Sequence, residues 1–137
     1  MAYTLEIGNK APDFNLLGTD NLFHDLASYS EYKLLIISFT CNHCPYVIGS
    51  DETTRKTVEK YNRESIKLVC INSNSKNTYE EDSFENMQTR MQEYQFPWDY
   101  LHDESQETAT NYGALKTPHF FVFDSDRSLI YTGRGID

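Results

Sequence analysis

The 137-residue sequence predicts an α/β fold with a central mixed sheet flanked by helices. Three observations carry this expectation. Short, nearly continuous apolar runs with β-branched residues recur at Lys33–Phe39, Lys67–Ile71 and His119–Phe123, the pattern of strands buried on both faces. Segments with helical spacing of apolar residues lie between them, and such alternation belongs to sheets with parallel strands at the centre. A turn and one further strand follow the last run, which adds an antiparallel edge.

The elements follow in order. Phe14-Asn15-Leu16 and Leu22-Phe23-His24 flank Gly18-Thr19-Asp20-Asn21, whose turn formers predict a β-hairpin ahead of the main sheet. Lys33–Phe39 is a central strand. From Asn42 to about Tyr61 the spacing becomes helical, with Val47, Val58 and Tyr61 on the apolar side. Lys67–Ile71 is the second buried strand. Asp82 or Ser83 can cap a helix running to about Tyr94, with Phe84, Met87 and Met91 on its inner face. Pro97–Leu101 is a short extended piece. Glu104–Tyr112 is a helix ended by Gly113. His119–Phe123 is a strand, Asp124-Ser125-Asp126 a turn, and Ser128–Tyr131 the closing strand. No repeat, low-complexity stretch or linker divides the chain, so residues 1–137 are expected to form one domain with one core.

Composition narrows the function classes. Lys and Arg number 12 against 21 Asp and Glu, a net charge of −9. A chain this acidic repels phosphate backbones and anionic lipid, which argues against nucleic-acid and membrane-surface partners. No apolar run approaches the roughly 20 residues that span a bilayer. The first residues lack a basic then apolar leader, which makes the cytoplasm the expected compartment. Three cysteines are too few for a disulfide framework.

Two of those cysteines carry the chemistry. Cys41 and Cys44 directly follow the first buried strand and open the predicted helix. The thiolate is the nucleophile in disulfide exchange, and a helix N-terminus lowers a cysteine pKa from about 8.5 to roughly 3.5–7.5. Cys41, where strand meets helix, is the better-placed attacker. Cys44, one turn on, can reach back to close the disulfide. Pro45 falls in the first helical turn, where a missing N–H leaves no bond unmade. His43 between the cysteines, if charged, would stabilise a thiolate and shift the pair toward oxidising power; otherwise it is a solvated turn residue. Asn42 completes the intervening dipeptide. A zinc site would need two further ligands, but there is no second C-x-x-C and no H-x-x-x-H, and His102 and His119 have simpler uses. Cys70, between Val69 and Ile71, fits a small core residue, as do Trp98, Met87 and Met91. Lys116, just before Thr117-Pro118, either faces the thiols or, more simply, is a solvated loop lysine.

Four stretches together resemble the thioredoxin-like superfamily, in its redoxin branch of peroxiredoxins and thiol-disulfide oxidoreductases. They are Ala11-Pro12-Asp13-Phe14-Asn15-Leu16, Phe39-Thr40-Cys41-Asn42-His43-Cys44-Pro45-Tyr46, Asp103-Glu104-Ser105-Gln106 with Tyr112-Gly113, and Thr117-Pro118-His119-Phe120-Phe121-Val122-Phe123-Asp124. The likeness is greatest to small bacterial proteins of this branch. It implies a thioredoxin-like fold with an N-terminal hairpin extension. It also implies a cis Thr117–Pro118 bond beside the thiols, where Thr117, Pro118 and Tyr46 would meet an extended substrate segment. Tyr46 and Phe39 either frame the site or serve packing alone.

Three departures matter. Leu35 occupies the position where thioredoxin carries a buried acid. The dipeptide is Asn42-His43 rather than Gly-Pro. The sequence stops at Gly135-Ile136-Asp137, just past the closing strand, where the fold normally ends in a helix; either the chain is truncated or a partner covers that face, and an uncovered apolar face would favour dimerisation or aggregation.

The expected function is a thiol-disulfide oxidoreductase acting on disulfide or dithiol proteins, with an electron donor or acceptor still to be identified. It needs no cofactor or metal beyond the Cys41–Cys44 disulfide. A peroxiredoxin-like, antioxidant peroxidase is the alternative. That pattern wants threonine three residues before the reactive cysteine, whereas Thr40 lies one before Cys41 and four before Cys44. A third reading is a binding module with incidental thiols.

Overall fold

The computed structural model describes residues 5–40, 66–73, 84–94, 99–103, 105–114 and 119–133. Seven strands among them form one mixed sheet in the order β2-β1-β5-β4-β3-β6-β7. The strands are β1 (Asn15–Gly18), β2 (Phe23–Asp25), β3 (Leu34–Thr40), β4 (Ile66–Asn72), β5 (Asp99–His102), β6 (His119–Phe123) and β7 (Leu129–Gly133). Two α-helices are described, α1 (Phe84–Tyr94) and α2 (Glu107–Tyr112).

β3 sits near the middle of the sheet. It pairs parallel with β4 along its length, from Leu34↔Ile66 to Thr40↔Asn72. On its other side it pairs antiparallel with β6, from Leu35↔Phe123 to Phe39↔His119. Antiparallel pairing therefore begins directly beside β3 rather than only at the closing hairpin. The predicted N-terminal hairpin forms, and β1 carries it into the same sheet through β5, at Leu17↔His102 and Gly18↔Leu101. A short 3₁₀ turn at Leu26–Tyr29 follows the hairpin. Its cap is Asp25, whose carboxylate accepts from the Ser28 amide at 3.0 Å while the Ser28 hydroxyl accepts from the Asp25 amide at 3.1 Å.

Side chains alternate across the sheet, and the two faces differ. One face packs Leu35, Ile37, Phe39, Val69, Ile71, Leu101, Phe121 and Phe123 against Leu5, Phe14, Tyr29 and Tyr112. Its rings meet edge-on or tilted, with Phe39–Phe121 centroids 5.8 Å apart and Tyr112–Phe121 5.6 Å apart, the geometry aromatic quadrupoles favour. The other face carries a smaller cluster of Leu68, Cys70, Tyr100 and Met87, with Ile36, Phe84 and Met91 at its margin. Phe84, Met87 and Met91 all come from α1 and lie on its inner face, as the 3–4 spacing predicts.

α2 begins at Glu107, three residues later than the sequence suggests. Gln106 adopts a left-handed conformation, with φ +65°, and cannot continue a helix backward. Gly113, also left-handed at φ +68°, ends the helix as predicted. The helix predicted over 42–61 lies outside the described residues, as do Asp82, Ser83, Pro97, Trp98 and Glu104. No described helix is long and apolar enough to cross a membrane.

Candidate functional site

The parallel strands β3, β4 and β5 all run out at the same edge of the sheet, and the antiparallel β6 enters there. In α/β sheets this carboxyl edge is where ligands and reactive groups collect. A buried polar residue stands at or just past the end of each of the three strands. β3 ends in Thr40, β4 in Asn72, and β5 is followed by Asp103.

These groups are held by specific bonds. Asn72 is fully buried and donates Nδ2–H to the Tyr100 hydroxyl at 3.2 Å. Its carbonyl accepts the Asp103 amide at 2.9 Å, which ties the ends of β4 and β5 together. The Asp103 carboxylate, 1% exposed, accepts from the Ser73 hydroxyl at 2.7 Å, the Ala109 amide at 2.9 Å and the Thr108 amide at 3.3 Å. It thereby caps α2 from outside the helix, satisfying amides that have no partner within it. Gln106 adds a side-chain bond to the Ser73 carbonyl at 2.8 Å. These bonds lock the segment after β4 to the start of α2.

β6 enters the same edge through His119, which pairs with Phe39 across the sheet. The His119 ring stacks on Phe121 with centroids 4.3 Å apart, and Nε2 lies 2.8 Å from the Thr132 hydroxyl. His102 stacks on Phe84 at 5.7 Å. Among the described residues no group of three or more His, Cys, Asp or Glu could hold a metal ion.

Thr40 contrasts with its neighbours. It is 7% exposed, and its Oγ1 has no hydrogen-bond partner among the described residues. Cys70 lies on the same face, opposite Ser38 in β3 and Tyr100 in β5. Burial first, then the charge of Asp99, pushes its thiol well above the ordinary cysteine range, so it stays protonated and unreactive.

The sequence-predicted site residues Cys41, Cys44, Asn42, His43, Tyr46, Thr117 and Pro118 lie outside the described residues, as does Lys116. Their covalent neighbours do not. Phe39 and Thr40 lead into Cys41, and His119 follows Pro118. In the sequence, Thr40 and Asp103 stand out only as members of resembling stretches, with Thr40 out of register for the peroxidase pattern, and nothing marks Asn72. The available signal was that each of three apolar strands is closed by a polar residue, at the end that parallel topology turns into one edge.

Comparison with known proteins gives the setting. No curated protein matches the chain. A hypothetical protein from Sinorhizobium meliloti 1021 is 32% identical, with a TM-score of 0.93 over 99% of this chain and 74% of that one. An uncharacterized conserved protein from Geobacillus kaustophilus is 35% identical, with a TM-score of 0.92 over 96% of this chain and 70% of that one. The thioredoxin domain of a thiol-disulfide oxidoreductase from Bacteroides vulgatus, 14% identical, superimposes with a TM-score of 0.81 over 96% of this chain and 91% of that one, which establishes the thioredoxin-like fold. The Redoxin family model matches residues 6–137. With the match extending over nearly the whole sequence and the fold in agreement, the chain belongs to the Redoxin family.

Proposed function

We propose that the protein is a thiol-disulfide oxidoreductase that exchanges a Cys41–Cys44 dithiol with the disulfides of protein substrates. Redoxin family membership and the thioredoxin-like fold support a thiol redox function. The observation that carries the finer reading is positional. The C-x-x-C directly follows β3, the strand bracketed by β4 and β6, at the edge where the parallel strands end.

The Cys41 thiolate attacks one sulfur of a substrate disulfide, forming a mixed disulfide and releasing the other sulfur as a thiolate. Cys44, as its own thiolate, then attacks the Cys41 sulfur. The second substrate sulfur leaves, and the pair ends oxidised, having passed two electrons to the substrate. The reverse sequence oxidises a dithiol substrate. Thr117, Pro118 and Tyr46 are the proposed contacts for the substrate backbone, and Asn42 and His43 the residues that tune the potential. The bond between Cys41 and Cys44 is the redox group, with no further cofactor.

Reduction of insulin disulfides in the presence of a small dithiol tests the reading. Wild type is expected to accelerate precipitation of the insulin B chain, and Cys41→Ser to abolish the acceleration. An inactive wild type, or full activity in Cys41→Ser, would overturn it.

A further inference from the structure

α1 and the turn that joins β1 to β2 flank an open groove of about 520 Å³, room for a short stretch of polypeptide. Thr19 and Asn21 line it from the turn, and Glu85, Gln88, Met91 and Gln92 from the helix. Two of these side chains, both amides, are joined head to tail. Gln88 uses both hydrogens of Nε2, one on the Thr19 carbonyl at 3.2 Å and one on Asn21 Oδ1 at 3.3 Å. The pair keeps an acceptor, Gln88 Oε1, and a donor, Asn21 Nδ2, without partners among the described residues. One acceptor beside one donor matches a peptide group, which offers an N–H and a C=O in return. Glu85 is the one charged residue among those lining the groove. Lys10, Lys67 and Arg127 are engaged elsewhere, with Asp126, Asp99 and the Tyr29 and Tyr32 carbonyls. The groove leads away from the carboxyl edge of the sheet. Phe84, which starts α1, stacks on His102 at the end of β5. From Glu85 to Gln92 the helix rises about 10 Å, the reach of about three extended residues.

We propose that this groove docks an extended, basic segment of the protein substrate, its backbone on the Gln88–Asn21 amides and a Lys or Arg side chain on Glu85. That the segment belongs to a substrate rests on the thiol-redox reading above; the chemistry of the groove does not. The negative carboxylate complements the cation, and the net charge of −9 draws basic partners to the molecule. Met91 gives the methylenes of a long cationic side chain an apolar wall. Leu22 and Phe23, directly after Asn21 in the chain, are 62% and 66% exposed and offer apolar contact beside the turn.

The test is fluorescence anisotropy with a short labelled peptide that alternates Lys and Thr and has no cysteine. Two further peptides carry Gln or Glu in place of Lys. The Lys peptide is expected to bind most tightly, the Glu peptide least. Glu85→Gln is expected to weaken binding of the Lys peptide about threefold and Gln88→Ala about fivefold. Glu107→Gln removes the same charge from α2 and is expected to stay near wild type, which separates docking in the groove from attraction to the whole acidic molecule. Urea midpoints confirm that the variants fold. Should Gln88→Ala fail to fold, Asn21→Gly removes the partner amide while accepting its left-handed φ of +67°. No binding of the Lys peptide, equal binding of the three peptides, or affinities in Glu85→Gln and Gln88→Ala no weaker than in Glu107→Gln would overturn the inference. The expected binding pattern in a protein that does not reduce insulin would overturn the redox reading and leave the docking groove standing.

Discussion

On one face of the sheet Leu35, Ile37, Phe39, Val69, Ile71, Phe121 and Phe123 interlock with Tyr112 and Phe14. On the other face the same strands present Ser38, Thr40, Cys70 and Asn72 as buried residues beside Leu68, Tyr100 and Phe120. The first face is what burial alone would select. Each ring removes about 150–250 Å² from water and locks against its neighbours. The second gives up apolar area for polar groups, and these increase toward the edge where β3 hands the chain to Cys41. A buried oxygen weakens a core unless it is hydrogen-bonded, as Asn72 is to Tyr100, whereas the Cys70 thiol packs as a small apolar group. The asymmetry thus separates a face built of interlocking rings from a face that mixes apolar side chains with buried polar groups.

The largest expected effect breaks the first face. Phe121 is fully buried and makes ring contacts with Phe39, Tyr112 and His119. Phe121→Ala is expected to lower the free energy of unfolding by about 3–5 kcal/mol, measured by urea denaturation. A loss below 1 kcal/mol would mean that the aromatic face is not the main support of the sheet.

A smaller effect tests the second face away from its reactive edge. Cys70→Ala removes one sulfur from a site bounded by Leu68, Tyr100 and Met87. It is expected to cost about 1 kcal/mol while insulin reduction stays at the wild-type rate. In the native protein Cys70 should resist thiol reagents that modify it readily after unfolding, since burial holds it protonated. Lost reductase activity in a folded Cys70→Ala would move the chemistry to the wrong thiol.

A further effect is an alkaline one. Burial, and next the neighbouring Asp99 carboxylate, raise the Tyr29 hydroxyl, which donates to Asp99 at 2.8 Å. Burial likewise raises Tyr112, whose hydroxyl donates to the Pro12 carbonyl at 2.7 Å. With Cys70, these groups keep their protons in the folded state, while the unfolded chain releases them from about pH 8.5 to 10. The folded state then holds more protons, so stability falls as pH rises through that range and is complete below it. Urea midpoints between pH 7 and 11 should be level at first and then decline. A level profile throughout would contradict the burial of these three groups.

Much of this division is visible in the sequence. The runs at Lys33–Phe39, Lys67–Ile71 and His119–Phe123 announce buried strands through their β-branched and aromatic residues, and Gly18–Asn21 and Gly113 mark a turn and a helix end through their own conformational preferences. The position of Cys41 and Cys44 after the first run also needs no structure to be seen. Other features depend on contacts between distant segments. The start of α2 is set by Asp103 and by the left-handed Gln106, against good helix formers upstream. The 3₁₀ turn at Leu26–Tyr29 had a local signal in Asp25 and Ser28, a capping box outside any helical periodicity. That β6 lies antiparallel beside β3, and that the first hairpin joins through β5, are properties of chain crossing rather than composition. Alternation puts Thr40 on the Ser38 face, but its burial without a partner follows only from packing.

The proposed function assigns the chemistry to Cys41, the residue that follows β3 in the chain, and not to Cys70 in β4. The most direct test is to incubate reduced Cys44→Ser, which cannot resolve a mixed disulfide, with oxidised glutathione and map the product by mass spectrometry. The account predicts a glutathione adduct on Cys41 that is removed by a dithiol, with Cys70 unmodified. An adduct on Cys70, or none on Cys41 in the folded protein, would contradict it.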